Sequence, residues 1–178
     1  MEKADRLGVG ISSGYRILPV LLVTIAILLF LLRCSFGIAA NPTQLEEPAP
    51  DGALFDLNNR QLRLSDYRGQ VVLLNYWSLG CGACMEELPT LERLSKEHGS
   101  QDFAVVTVNV GDEAQDVERF INKEGYTFTV LLDPGMETNI RVVPTTYVVD
   151  QQNTLRLRWV GGPLTYQAIL TELESYLE

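Results

Sequence analysis

The strongest constraint on the fold is a pair of cysteines between a strand-like run and a helix-like run. Val71–Trp77 is an almost unbroken apolar run, the pattern of a strand whose two faces are both buried. Cys81 and Cys84 follow, and Met85–Glu97 then carries leucines at helical spacing. The sequence therefore predicts a strand, a short loop and a helix that begins close to Cys81.

The position of the pair favours redox chemistry. At the start of a helix, unpaired N–H groups and the helix dipole stabilise negative charge, which lowers the pKa of a thiol such as Cys81. Cys84 lies one helical turn further along, within reach for a disulfide bridge, and can resolve a mixed disulfide formed by Cys81. Gly82, between them, lets the backbone of a partner approach closely.

Other interpretations of the pair remain open. A closed zinc site needs four ligands, and the chain offers one histidine, His98, near the end of the following helix. A histidine in that place is typical of a solvated residue that interacts with the helix dipole. An inert bridge between Cys81 and Cys84 would close a very short loop and stabilise the fold little. Copper transfer by the two thiols is a further alternative.

Strand and helix patterns alternate through the rest of the chain and indicate an α/β domain. Apolar residues alternate on both sides of Asn58–Asn59, which predicts a short β-hairpin. The order of the later patterns predicts a central sheet with helices on both faces. Later strands are predicted at Phe103–Val110, Phe128–Leu132, Thr145–Val149 and Leu155–Val160, and later helices at Ala114–Lys123 and Thr165–Leu177.

An apolar run near the start of the chain predicts a membrane segment. Residues 17–32 carry no charged side chain, and a helix over residues 17–37 approaches the length that a bilayer core requires. We interpret 17–37 as a signal anchor, with a cleavable signal peptide as the alternative. Basic residues precede the run, so the positive-inside rule predicts that residues 1–16 stay in the cytoplasm and that the remainder crosses the membrane.

Composition then separates a linker from a folded domain. Residues 38–52 contain three prolines and no apolar period, which predicts an extended linker, and residues 53–178 form the predicted domain. The net charge of −9 disfavours binding to nucleic-acid phosphates. Three cysteines, of which Cys34 lies outside the pair, exclude a disulfide-rich scaffold.

Two stretches together resemble a known superfamily. VVLLNYWSLGCGACMEELPTL and the later VVPTTYVVD resemble thioredoxins, and the chain looks like the TlpA/ResA-like branch of membrane-anchored thiol–disulfide oxidoreductases. The resemblance covers about residues 50–178. It implies a thioredoxin-like fold, in which a central mixed β-sheet is flanked by helices, with an extra N-terminal β-hairpin and one N-terminal transmembrane helix.

The resemblance also implies roles for individual residues. Cys81 matches the nucleophile and Cys84 the resolving thiol, so Cys81–Cys84 is the implied redox-active disulfide. Pro144 matches a proline that follows a cis peptide bond and faces the pair. In this fold the bond exposes the backbone of the preceding residue, here Val143, to pair with a client chain.

Two more residues match positions near the pair in this family. Glu87 matches an acidic residue that can transfer a proton to or from the resolving thiol; its alternative is an ordinary surface glutamate like Glu86. Trp77 matches an aromatic residue near the pair, which implies a contact with substrate, and a core residue is the equally good alternative. Thioredoxin has a buried aspartate where this chain has Asn75.

The sequence departs from the family pattern in three places. Gly80 replaces the usual tryptophan ahead of the first cysteine, which removes an apolar contact surface. Gly82–Ala83 lacks the usual proline between the cysteines, which should shift the redox potential in a direction that the sequence does not decide. The segment Asp133–Pro144 is short, so the helix ahead of the cis-proline strand should be reduced to a turn.

The resemblance implies an enzyme that reduces disulfides of client proteins outside the cytoplasm, without a cofactor or a metal. Apocytochrome c is the client that family analogy favours, and a membrane-bound thiol donor would supply the electrons. The implied location is the cell (inner) membrane, with the thioredoxin-like domain on the outer, periplasmic side. The alternatives are a peroxiredoxin-like peroxide reductase and a non-enzymatic copper-delivery or assembly module.

Overall fold

The computed structural model describes residues 22–23 and 41–177. Apart from the two helical residues 22–23, the predicted anchor at 17–37 and the preceding N-terminal segment lie outside these ranges, as does Cys34. Among the residues described, no helix has the length and apolar character needed to cross a bilayer.

Eight strands of the described chain form one mixed sheet. The strands are β1 (Thr43–Pro48), β2 (Leu54–Asp56), β3 (Gln61–Leu62), β4 (Val71–Trp77), β5 (Phe103–Val110), β6 (Thr129–Asp133), β7 (Thr145–Val149) and β8 (Thr154–Val160). Their order across the sheet is β1-β8-β7-β4-β5-β6-β2-β3. Strands β4, β5 and β6 run parallel, and every other pairing is antiparallel. All seven residues of β4 are buried, as its apolar run predicts.

The helices follow the predicted apolar periods closely. They are α1 (Gly82–His98), α2 (Ala114–Glu124) and α3 (Tyr166–Leu177), and Leu64–Tyr67 forms a turn of 3₁₀ helix. The leucines that predicted α1 are fully buried. Helix α2 ends at Gly125, whose φ of 72° is the left-handed conformation that glycine adopts without a Cβ clash.

The prediction of helices on both faces of the sheet is wrong for the described chain. Buried residues of all three helices join one apolar cluster with Leu73 and Trp77. The opposite face of β4 packs against the 3₁₀ turn through Leu64 and against Ile140. No helix forms between β6 and β7, which agrees with the predicted reduction to a turn. Among the described residues, this second face is therefore covered by the 3₁₀ turn and by irregular chain.

The linker predicted at residues 38–52 includes a strand in the structure. Strand β1 pairs antiparallel with β8, from Thr43 opposite Arg158 to Pro48 opposite Thr154, around an irregularity in register. Pro48 ends the strand, where a missing N–H interrupts little of the ladder. The backbone hydrogen bonds that order this segment come from β8, more than 100 residues later, so local composition did not reveal them.

Strands β2 and β3 pair antiparallel around Asn58–Asn59, and β2 also pairs with β6. The carboxylate of Asp56 accepts hydrogen bonds from the backbone N–H groups of Asn58 and Arg60, and Asn59 has a φ of 59°. An Asp side chain that caps the turn and an Asn in the left-handed conformation are typical of such turns. The turn closes the hairpin, and the pairing of β2 with β6 attaches it to one edge of the sheet.

Candidate active site

The cysteine pair lies at the start of α1, after the short loop that follows β4. Cys81 is the N-cap residue of α1, and the N–H of Cys84 donates to its Sγ over 3.2 Å. The two residues form a disulfide, with Cα atoms 5.2 Å apart. The sulfur of Cys81 therefore lies against the N–H groups of the first helical turn, which stabilise a thiolate once the bond is reduced.

The two sulfurs differ in access to solvent. Cys81 is half-buried, whereas Cys84 is only 1% exposed. Gly80 and Gly82 flank Cys81, are exposed, and have open space where a Cβ would lie. A client can thus approach Cys81 with little obstruction and cannot reach Cys84 directly. This asymmetry suits the predicted nucleophile and resolving roles.

The cis peptide bond implied by the resemblance is present between Val143 and Pro144. Strand β7 begins directly after it, with Thr145 opposite Tyr76 of β4. That register puts Pro144 level with Trp77, at the end of β4 where the cysteine loop starts. Pro144 is buried, while Val143 remains partly exposed. The predicted cis-proline segment and the cysteine pair therefore share one end of the sheet.

Glu87 is buried, whereas the neighbouring Glu86 is exposed. The hydroxyl of Thr146 donates to Glu87 Oε1 over 2.8 Å, and the Asn75 amide donates to Thr146 over 2.9 Å and more weakly to Glu87 over 3.4 Å. Within the described residues, Glu87 Oε2 has no hydrogen-bond partner. The interpretation of Glu87 as a surface glutamate is wrong.

Burial makes Glu87 a weaker acid than an ordinary glutamate. Desolvation raises its pKa from 4.5 to about 7, against the smaller opposing effects of the Thr146 hydroxyl and the Leu164 backbone. A carboxyl group with a pKa near neutrality can both accept and donate a proton under physiological conditions. Glu87 lies three residues after Cys84 on α1, almost one helical turn away. The burial and the raised pKa of Glu87 are compatible with the proton-transfer role, which stays a prediction.

Trp77 lies in the core and cannot contact a client. Its side chain is 0% exposed, and its ring packs at 5.7 Å between centroids against Phe120 of α2. It belongs to the same apolar cluster as Cys84. The substrate contact predicted for Trp77 is therefore wrong, and the core alternative holds. The ring packs between the end of β4 and helix α2.

Comparisons with known proteins identify the family. A model described as the AhpC/TSA family matches residues 45–158. The thiol-disulfide oxidoreductase ResA of Geobacillus kaustophilus is 31% identical over 160 residues, which make up 88% of this chain and 91% of the relative. ResA of Bacillus subtilis is 30% identical over 80% of this chain and 86% of its own length. The chain belongs to the AhpC/TSA family.

Solved structures agree with this assignment. A candidate thiol:disulfide interchange protein DsbE from Chlorobium tepidum superposes with a TM-score of 0.69 at 26% identity, covering 75% of this chain and 98% of that one. A DsbF homologue from Corynebacterium diphtheriae has a TM-score of 0.68 at 24% identity, covering 78% and 95%, and supports the fold. The thioredoxin-like fold is confirmed, and this AhpC/TSA chain is a thiol–disulfide oxidoreductase.

Histidine does not join the cysteines in this AhpC/TSA domain. His98 Nε2 lies 2.8 Å from the hydroxyl of Tyr166 on α3, at the far end of α1 from the pair. In the ranges that the structure covers, no three histidine, cysteine or acidic side chains are grouped as metal ligands. His98 thus links α1 to α3.

Sequence reasoning missed Thr146, which connects the cis-proline strand of this AhpC/TSA domain to the helix that carries the cysteines. It lies opposite Asn75 in the antiparallel register of β7 and β4, and both side chains reach Glu87. Cross-strand neighbours on one face lie close enough to interact. The available signal was Asn75 in an otherwise apolar strand and two threonines at the start of β7, but the pairing register was needed to show which threonine faces Asn75.

We expect Thr146→Val to raise the pKa of Glu87 further above its usual value. Valine keeps the shape of threonine but removes the hydroxyl hydrogen bond that favours the ionised carboxyl. The titration can be followed by NMR of the Glu87 side-chain carboxyl. Thr145→Val is the matched control, since the Thr145 hydroxyl donates to the Val142 carbonyl instead. An equal pKa in both variants would contradict the role of Thr146.

Proposed function

We propose that this protein reduces disulfides in client proteins through Cys81 and Cys84. The observation that carries the proposal is the asymmetry of the pair: a partly exposed sulfur at a helix N-terminus is bonded to a buried one. A thiolate at a helix N-terminus is stabilised, and an accessible one is the attacking species in thiol–disulfide exchange. A solely structural bridge would gain nothing from an accessible cysteine at this position.

The reaction proceeds in two exchanges. The Cys81 thiolate attacks one sulfur of the client disulfide, forming a mixed disulfide and releasing the other client sulfur as a thiolate. The Cys84 thiol, deprotonated by Glu87, then attacks Cys81 and releases the second client sulfur, which takes up a proton. The client gains two electrons, and the protein is left with the Cys81–Cys84 disulfide. A thiol donor must return the two electrons before the next turnover.

The client class and the location belong to the same proposal. Family analogy favours apocytochrome c, whose Cys-x-x-Cys-His motif forms a disulfide in an oxidising compartment. The apolar run at residues 17–32, with basic residues ahead of it, supports a signal anchor at 17–37 and a domain outside the cytoplasm. Electrons would then come from a thiol donor embedded in the same membrane.

The redox potential of the pair tests the direction of electron flow. We expect the full-length protein, equilibrated with glutathione buffers, to have a potential near or below that of thioredoxin, about −270 mV. A value close to about −120 mV, typical of a strong oxidant such as DsbA, would contradict the reductase proposal. Cys34→Ser is the matched control and should leave the potential unchanged, because Cys34 is outside the pair.

The alternative to disulfide reduction is peroxide reduction, which we test because the chain belongs to the AhpC/TSA family. A peroxide reductase would consume hydrogen peroxide through Cys81 with rates well above those of free cysteine. We expect the reduced protein to consume peroxide no faster than its Cys81→Ser variant, while it still reduces an oxidised Cys-x-x-Cys-His peptide. Rapid peroxide turnover without peptide reduction would favour the alternative.

A further inference from the structure

The short loop that joins β4 to Cys81 is held by a residue from another part of the chain. The backbone N–H of Leu79 donates to Asp112 Oδ2 over 2.7 Å, and the only local support described is the bond from the Cys81 N–H to the Ser78 carbonyl over 3.2 Å. Gly80, between them, is exposed and has no side chain to pack. Asp112 therefore supplies the side-chain hydrogen bond that fixes the approach to Cys81.

Asp112 is itself oriented by a buried amide. Asn109 Nδ2 donates to the same Oδ2 atom over 2.8 Å, and Asn109 is 1% exposed at the end of β5, beside Trp77 in the sheet. Among the described residues, the Asn109 Oδ1 atom has no hydrogen-bond partner. An unpartnered buried carbonyl destabilises a fold. The Asn109 amide nevertheless bonds Asp112, and so orients the carboxylate oxygen that accepts from the Leu79 N–H in the cysteine loop.

We propose that Asp112 is a positioning residue of the redox centre, which fixes the loop before Cys81 and, through its negative charge, disfavours the Cys81 thiolate. The N-terminus of α1 stabilises that thiolate. The Asp112 carboxylate accepts a hydrogen bond from Leu79, two residues before Cys81, and its negative charge acts in the opposite direction. Asp112 thus limits the effect of the helix on Cys81.

This balance bears on the direction of electron flow. Strong stabilisation of the thiolate stabilises the reduced form and makes a pair oxidising, as in DsbA. A nearby negative charge has the reverse effect, so Asp112 makes the pair a better reductant. The inference deepens the proposed function and rests on it. It also supplies a physical source of reducing character in a chain that has no proline between its cysteines.

Three variants of the full-length protein separate the charge from the hydrogen bond. Asp112→Asn removes the charge, but its amide oxygen can still accept from Leu79. Asp112→Ala removes both. Glu113→Gln is the matched control, because this exposed neighbour loses the same charge and its side chain makes no cap hydrogen bond. Glu87, the buried carboxyl group behind the pair, and the exposed Glu86 on α1 are unchanged in all three.

The readouts are the pH dependence of Cys81 alkylation, resolved by peptide mass spectrometry, the equilibrium with glutathione, and hydrogen exchange of the Leu79 amide. We expect Asp112→Asn to lower the apparent pKa of Cys81 by about half a unit to one unit, and to shift the equilibrium towards the reduced pair about threefold to tenfold. Asp112→Ala should do the same and also speed hydrogen exchange of the Leu79 amide at least about tenfold. Glu113→Gln should leave the Cys81 pKa, the equilibrium with glutathione and the exchange of the Leu79 amide unchanged.

Either of two results would overturn the inference. One is a Cys81 pKa in Asp112→Asn that equals that of Glu113→Gln or lies above it. The other is unchanged exchange of the Leu79 amide in Asp112→Ala. The potential of the unsubstituted protein tests the proposed function, whereas only differences between variants test Asp112. Failure of one is therefore distinguishable from failure of the other.

Discussion

Replacing Cys81 with serine is expected to slow the reduction of client disulfides by at least about a thousandfold. A serine hydroxyl cannot form the mixed disulfide, and removal of a covalent nucleophile typically costs at least this much. Cys84 cannot substitute for it, because its side chain is 1% exposed. The measurement is reduction of an oxidised Cys-x-x-Cys-His peptide by the full-length protein with dithiothreitol as electron donor.

Cys84→Ser should behave differently from Cys81→Ser. The first exchange at Cys81 still occurs, but no resolving thiol follows it, so a mixed disulfide with the peptide accumulates and is visible by mass spectrometry. Cys34→Ser serves as the control and should neither slow turnover nor trap the peptide. Equal trapping by Cys81→Ser and Cys84→Ser would contradict the assignment of nucleophile and resolving thiol.

The cysteine pair was predictable because its chemistry depends on local sequence. A buried strand, a three-residue loop and a helical period fix the position of Cys81 at a helix N-terminus, and the structure confirms each of these elements. The cis bond before Pro144 was implied by resemblance to the family and is also confirmed. The strand and the helix around the pair are 7 and 17 residues long and are consecutive along the chain, so no long-range pairing had to be inferred.

Features that depend on distant pairing were predicted less well. Strand β1 was interpreted as a linker because its composition is polar and rich in proline, yet β8 supplies its backbone partners. Helix α2 was assigned correctly from its apolar period, but a period shows only which side of a helix is buried. It does not show which face of the sheet receives that side, and α2 joins α1 and α3 on the same face.

The polar residues around the pair illustrate the same limit. Asp112 and Thr146 come from different strands or loops than the cysteines, and each makes a hydrogen bond that crosses between elements. Trp77 was ambiguous because an aromatic residue just before a site can either pack beneath it or line it. Only its complete burial decides between the two. Periodicity identifies apolar faces, whereas isolated polar contacts require the register of the folded sheet.

The stability of the oxidised protein is expected to fall as pH rises, by about 3 kcal/mol in total, because of Glu87. Its pKa is about 7 in the folded state and 4.5 as a free group, and each unit corresponds to about 1.4 kcal/mol. A carboxyl group with a raised pKa binds its proton more tightly when folded. The stabilisation is therefore complete below about pH 4.5 and is lost as pH rises through about 7.

Glu87→Gln should remove this dependence, because glutamine has the same shape and does not ionise. The free energy of unfolding, measured with denaturant between about pH 4.5 and pH 8, should fall with pH in the unsubstituted protein and stay nearly flat in the variant. Glu86→Gln is the matched control, since the exposed Glu86 loses the same charge but should keep the slope. Parallel curves for all three proteins would contradict a raised Glu87 pKa. A proton-transfer role for Glu87 would then lose its physical basis, because an ordinary glutamate is too weak a base to deprotonate Cys84 near neutral pH.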